Sequence, residues 1–108
     1  MFRVVALALV TLALVPLARA ADVPTVELVL QDHKFVPAEL TIPAGVRVKL
    51  VVKNQGDAAA EFEGEDFKAE KVVPANSEVS LFIGPLEAGT YHFVDEFHEA
   101  TKGTLIAK

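Results

Sequence analysis

The strongest constraint on the fold lies in the stretch VRVKLVVKN, Val46–Asn54, where apolar and charged residues alternate. One face would carry Val46, Val48, Leu50 and Val52, and the other Arg47, Lys49, Val51 and Lys53. Successive side chains of a β-strand point to opposite sides of the sheet, so a period of two is typical of a strand. The stretch therefore predicts a strand with one face in a core and the other in water.

Four further segments have the composition of short strands. They are Thr25–Leu30, Ser77–Ile83, Thr90–Val94 and Gly103–Ala107, with turn-forming residues such as Pro43-Ala44-Gly45 and Gly84-Pro85 between them. Beyond the first twenty residues, no stretch has a sustained apolar period of 3.6 residues. Short strands at this spacing predict a single all-β domain, an antiparallel Greek-key sandwich or barrel.

The same alternation predicts which side chains form the core. Those expected to face inwards are Val48, Leu50, Val52, Leu81, Ile83, Tyr91, Phe93 and Leu105. The chain contains no cysteine, so no disulfide adds to the stability that this core provides.

Residues 1–20, MFRVVALALVTLALVPLARA, have the pattern of a secretory signal peptide. Arg3 precedes an apolar run from Val4 to Leu17, and small residues occupy Ala18 and Ala20. We expect cleavage after Ala20, export to the periplasm and a mature domain of residues 21–108. An uncleaved membrane anchor is the alternative, but the apolar run is shorter than the roughly 20 residues that span a bilayer.

The charge of the chain excludes some partners. Fifteen acidic residues against ten lysines and arginines give a net charge of −5 at pH 7, and a cleaved leader would remove two of the arginines. Nucleic acids and anionic membrane surfaces select for basic proteins, so neither is an expected partner. Cations are compatible with the charge, although acidic residues also serve solubility.

Two longer stretches resemble the cupredoxin family. FVPAELTIPAGVRVKLVVKN, Phe35–Asn54, is similar to the first half of a cupredoxin, and GTYHFVDEFHEATKGTLIAK, Gly89–Lys108, to its closing hairpin. That hairpin usually reads Gly-x-Tyr-x-Phe-x-Cys-x-x-His, followed by Met and Gly-x-Leu. The resemblance implies a cupredoxin-like β-sandwich.

The resemblance also locates the family's copper ligands. His98 matches the second histidine, the cysteine position falls on Asp95, the methionine position falls on Thr101, and the first histidine falls at Ala60 or Glu61. Type 1 copper requires a thiolate, two imidazoles and a weak axial thioether. These departures from the family's ligand pattern imply that the protein is not a blue-copper electron carrier.

Oxygen and imidazole ligands remain near the expected site. Asp95 and His98 are three residues apart across a turn, and Glu61 and Glu63 would share one face of a strand with Phe62 on the other. We hypothesise that these four residues bind a metal ion, since carboxylate and imidazole together suit iron, copper, manganese and zinc. A solvated acidic sheet edge is the alternative interpretation of the glutamates.

The other two histidines are weaker candidates for the same metal site. His92 alternates with Tyr91 and Phe93, so it would face away from the core. His33 has Asp32 beside it and could belong to a second or shared site.

The cysteine-free pattern, with AEFE and DEFH, resembles a branch of cupredoxin-like proteins associated with bacterial iron uptake through Efe-type and related ferrous iron permeases. This resemblance implies a periplasmic protein that binds iron or copper and assists ferrous iron uptake, with possible help in ferrous iron oxidation. Its implied partners are the metal ion and either an inner-membrane iron permease or a periplasmic iron-binding protein. The competing hypothesis is a metal-free β-sandwich module that binds another protein.

Overall fold

The computed structural model describes residues 22–108, and this range is built of nine strands and one turn of 3₁₀ helix. The strands are β1 (Thr25–Gln31), β2 (Lys34–Val36), β3 (Glu39–Ile42), β4 (Val48–Asn54), β5 (Ala60–Gly64), β6 (Ala69–Val73), β7 (Ser77–Ile83), β8 (Gly89–Asp95) and β9 (His98–Ala107). The 3₁₀ turn, Glu65–Phe67, lies between β5 and β6. The signal-peptide prediction lies outside the described residues. Within them, no helix is long and apolar enough to cross a membrane.

The strands form two sheets that pack face to face. One sheet has the order β2-β1-β4-β7, and the other has the order β3-β9-β8-β5-β6. Both sheets are mixed, because β1 runs parallel to β4 and β3 runs parallel to β9, while the remaining neighbours are antiparallel. The predicted all-β sandwich is confirmed, with these two parallel pairs as an addition to it.

The core lies between the sheets, where the period of two placed it. Of the eight side chains expected inside, six are buried, and Leu81 and Tyr91 are partly buried and pack against the core. Val48, Leu50 and Leu105 have no exposed surface. Strand β4 alternates fully buried and half-buried residues along its whole length, as its sequence predicts.

Strands β2, β3 and β6 were not predicted from the residue pattern. Strand β2 has only three residues, and β6 is an edge strand with the sequence AEKVV, in which two adjacent charged residues interrupt the alternation. The turn between β1 and β2 consists of Asp32 and His33, whose φ angles are 50° and 57°. Two consecutive positive φ angles are the geometry of a type I′ hairpin turn, so this turn fixes where His33 lies.

Aromatic rings fill the end of the core that lies near Asp95. The centroid of the Phe93 ring lies 5.0 Å from that of Phe35 and 5.4 Å from that of Phe62. Strand pairing places Phe62 opposite Asp95. These three packed rings therefore lie in the part of the core next to Asp95.

Candidate functional site

Asp95 ends β8 on the side of the sheet that faces the core, and its side chain is only 2% exposed. Its Oδ1 atom accepts hydrogen bonds from the backbone N–H groups of Glu61 and Phe97, each at 3.0 Å. Burial of a carboxylate is strongly unfavourable unless hydrogen bonds compensate for the lost hydration. The two backbone donors supply that compensation on one of the two oxygens.

His98 supplies the partner of the other oxygen. Its Nδ1 atom lies 3.1 Å from Asp95 Oδ2, and its side chain is 40% exposed. A β-bulge between Val94 and Asp95 and the two-residue turn that follows bring His98, the first residue of β9, opposite Asp95. Asp95 and His98 are therefore in contact across the turn that separates them in sequence, while their binding of a metal ion stays a prediction.

His33 joins this pair from the other sheet. The imidazole rings of His33 and His98 have centroids 5.0 Å apart and are tilted by 51°. The hydroxyl of Thr101, a buried residue of β9, donates a 2.8 Å hydrogen bond to the His33 carbonyl and so ties the β1–β2 turn to β9. Sequence reasoning ranked His33 below the glutamates. The turn chemistry of Gln31-Asp32-His33-Lys34 was the signal that could have placed it at this end of the sandwich.

A pocket of about 140 Å³ opens beside these side chains. Asp95, His98 and His33 line it together with Asp32 and with the loop that follows β4. Two residues were candidates for the family's first-histidine position, Ala60 and Glu61. Ala60 lines the pocket together with Asp95, whereas the side chain of Glu61 lies on the other face of β5.

Glu61 and Glu63 lie on the opposite surface of the same sheet. Ala60, Phe62 and Gly64 are the buried residues of β5, so the two glutamates between them face outwards. Asp95 faces inwards with Phe62. The structure therefore does not bring the glutamates to the Asp95–His98 pair. Among residues 22–108, no three histidine, cysteine or acidic side chains are grouped so that they could hold an ion.

On the outer surface, the glutamates face other carboxyl groups. A side-chain hydrogen bond to Glu96, helped by burial and by the neighbouring negative charges, raises the pKa of Glu63 to about 7. A similar hydrogen bond to Glu70 raises the pKa of Glu61 above its ordinary value. The neighbouring carboxyl groups therefore favour the protonated forms of Glu61 and Glu63, as expected when like charges are held close together.

His92 lies on this outer surface, as its position between Tyr91 and Phe93 predicted. Its backbone N–H donates to the carboxylate of Asp66, at 3.2 Å to the nearer oxygen. A wide groove of about 1060 Å³ runs along this surface past His92, Glu63 and Glu96. The sheet separates this groove from the pocket that contains His33 and His98, so His92 and the glutamates cannot ligate an ion held there.

The donor atoms do not fit type 1 copper. Asp95 provides oxygens where that centre requires a thiolate, Ala60 provides no donor atom, and the Thr101 hydroxyl is engaged with a backbone carbonyl. The pocket is lined instead by two histidines, His33 and His98, and by Asp32 and Asp57.

The two packed sheets define a class of β-sandwich proteins, and solved structures have the same fold. Auracyanin B superimposes with a TM-score of 0.67 at 19% identity, covering 82% of this chain and 93% of that one. The metal-binding domain of a Cu(I)-exporting P-type ATPase from Streptococcus pneumoniae gives 0.63 at 15% identity, covering 78% and 84%. Auracyanin A, a "blue" copper protein from Chloroflexus aurantiacus, gives 0.63 at 17% identity, covering 81% and 100%.

The sequence itself assigns the family. The model of the cupredoxin-like domain matches residues 4–107, and the chain belongs to that family. A relative from Rickettsia prowazekii, an uncharacterized protein, is 33% identical over 76 residues, which are 70% of this chain. The match spans 61% of the length of that relative.

Proposed function

We propose that this protein binds a metal ion through the imidazoles of His33 and His98. The observation that carries the proposal is the 5.0 Å distance between the two ring centroids. With metal–nitrogen bonds of about 2.0 Å, two imidazoles on one tetrahedral ion have centroids about 5 Å apart. The two rings are therefore already at the separation that a shared ion requires.

Copper and iron are the proposed metals. Imidazole suits copper, iron, zinc and nickel, and Asp32 and Asp57, which line the same pocket, are residues with harder oxygen donors. Two of the structural relatives named above are described by their copper or Cu(I) chemistry, which supports copper as the first candidate. The resemblance to proteins of ferrous iron uptake supports iron as the second.

Calorimetric titration of the purified protein with Cu(II), Fe(II) under argon and Zn(II) tests the proposal. His33→Ala and His98→Ala should each weaken binding at least tenfold, about 1.4 kcal/mol, because each removes one nitrogen ligand. His92→Ala is the matched control, since that histidine lies on the opposite surface of the sheet. Equal affinities for the wild type and the His33→Ala, His98→Ala double variant would refute the metal site.

A metal-free binding module remains the second candidate. It is favoured by the divergence of Glu61 and Glu63 from Asp95, which leaves the described residues without a group of three ligating side chains. The titration separates the two proposals, because a module would show no specific heat of binding with any of the three metals.

The cellular role is proposed from the sequence. The leader pattern of residues 1–20 supports export to the periplasm, where the protein would assist ferrous iron uptake with an inner-membrane permease or a periplasmic iron-binding protein. Amino-terminal sequencing of the protein from its native host should find Ala21 first. A membrane-bound form that retains Met1 would contradict export as a cleaved protein.

A further inference from the structure

We propose that Asp95 is a positioning residue of this metal site and not one of its ligands. It fixes the tautomer and the orientation of His98, so that the Nε2 atom of the imidazole is presented to the metal. The inference rests on the proposed function and assigns to Asp95 a role different from the direct ligation that the sequence suggested.

The hydrogen bonds of Asp95 occupy three of the roughly four acceptor positions of its carboxylate. Oδ1 is occupied by the N–H groups of Glu61 and Phe97, and Oδ2 by Nδ1 of His98. With only 2% of its side chain exposed, the carboxylate presents little surface to a ligand in the pocket. An ion at Oδ1 would displace a backbone N–H group, and an ion at Oδ2 would compete with Nδ1 of His98 for the same oxygen.

The same contacts decide which ring nitrogen of His98 carries the proton. The two backbone N–H groups belong to β5 and to the β8–β9 turn, so they cannot rotate away from Oδ1. An ionised carboxylate has only acceptors, so with Asp95 ionised Nδ1 is the donor across the 3.1 Å contact with Oδ2. A neutral imidazole protonated at Nδ1 has its lone pair on Nε2, which is the form that binds metals.

This arrangement matches a general design of metal sites. A ligating histidine commonly donates its other ring N–H to a carboxylate, and loss of that carboxylate typically reduces metal affinity 10- to 100-fold. His33 is held by a different contact, the Thr101 hydroxyl on its carbonyl. A change at Asp95 should therefore act on His98 alone.

Asp95→Asn is the informative variant. The amide oxygen can still accept from the N–H groups of Glu61 and Phe97, and the amide nitrogen then becomes a donor facing His98. Nδ1 must now accept, so the ring proton moves to Nε2 and blocks the atom that should bind the metal. Asp66→Asn is the matched control, because Asp66 also accepts a backbone N–H but lies on the outer surface.

Two measurements test the proposal. Nitrogen-15 NMR of the metal-free protein should show His98 protonated at Nδ1 in the wild type and in Asp66→Asn, and at Nε2 in Asp95→Asn. Titration with Zn(II) should give an affinity about 10- to 100-fold lower for Asp95→Asn and an unchanged one for Asp66→Asn. In the Zn(II)-loaded wild type, the Nδ1 proton of His98 should persist.

Several results would overturn the inference. A wild-type His98 protonated at Nε2, a Zn(II) affinity unchanged by Asp95→Asn, or loss of the Nδ1 proton on loading would each exclude the positioning role. The NMR measurement requires no metal, so its outcome is independent of the proposed function. A wild type that binds no Zn(II) while His98 carries its proton on Nδ1 would refute the metal site but not the orientation of His98 by Asp95.

Discussion

Asn54 provides the sharpest test of what stabilises the loop after β4, which lines the pocket beside Asp95 and His98. The residue ends β4 and is 2% exposed. Its Nδ2 donates to the carbonyls of Ala58 at 2.8 Å and Val73 at 3.2 Å, and its Oδ1 accepts from the Gly56 N–H at 2.9 Å. One side chain thus connects β4, the loop that lines the pocket and the end of β6.

Asn54→Ala removes all three hydrogen bonds. Each contributes about 1 kcal/mol net, and a buried carbonyl that loses its donor adds a desolvation penalty of about 1–3 kcal/mol. We therefore expect a loss of about 4–6 kcal/mol, a large part of the roughly 5–15 kcal/mol that stabilises a small domain. For a domain of this size, the melting temperature should fall by at least about 10 °C.

Urea denaturation followed by circular dichroism measures this loss, with Gln55→Ala as the control. Gln55 is the neighbouring amide residue with an exposed side chain, and its replacement should change stability by no more than about 0.5 kcal/mol. Asn54→Asp keeps the shape but turns the donor into an acceptor facing two carbonyls, so it should be at least as damaging as Asn54→Ala at pH 8. An Asn54→Ala variant as stable as Gln55→Ala would refute this account of the loop.

Two further predictions concern the core and the outer surface. Leu50→Ala should lower the free energy of unfolding by about 2–5 kcal/mol, because Leu50 is fully buried. Val51→Ala, on the other face of the same strand, should lower it clearly less. Equal urea midpoints for the two variants would mean that the faces of β4 are misassigned. The hydrogen bond to Glu96 raises the pKa of Glu63 to about 7, so the folded state holds this proton more tightly than the unfolded chain and stability falls as the pH rises from about 4.5 to 7. Glu63→Gln should make the urea midpoint less sensitive to pH over that window, and an unchanged pH dependence would contradict the raised pKa of Glu63.

The core could be predicted from the sequence because a period of two is a local property. Alternation along β4 and β8 assigns Leu50 and Phe93 to the interior without knowledge of which strands are neighbours. The pairing of strands is not local. The parallel contacts of β1 with β4 and of β3 with β9 join segments far apart in sequence, and no residue pattern within either strand encodes them.

The candidate site shows the same division between local and distant contacts. Asp95 and His98 are three residues apart across a hairpin turn, so their contact followed from spacing. The approach of His33 depends on how one sheet packs on the other and on the hydrogen bond between its carbonyl and Thr101, 68 residues away. The residues around His33 can indicate the turn, but they do not indicate that the turn packs against β9.

The position of the glutamates follows from Phe62 once the register is known. Because Phe62 lies in the core, its neighbours Glu61 and Glu63 face outwards. Because Asp95 pairs with Phe62 across the sheet, Asp95 faces inwards. The sheet thus separates Asp95, both of whose oxygens are hydrogen-bonded, from the outer glutamates, where the pKa of Glu63 is raised to about 7. The outer group can attract a cation to the pocket only through space, and charges at the surface are screened beyond about 8 Å at physiological ionic strength. Affinity at the pocket should therefore depend on His33, His98 and Asp95, while the outer glutamates contribute mainly at low salt.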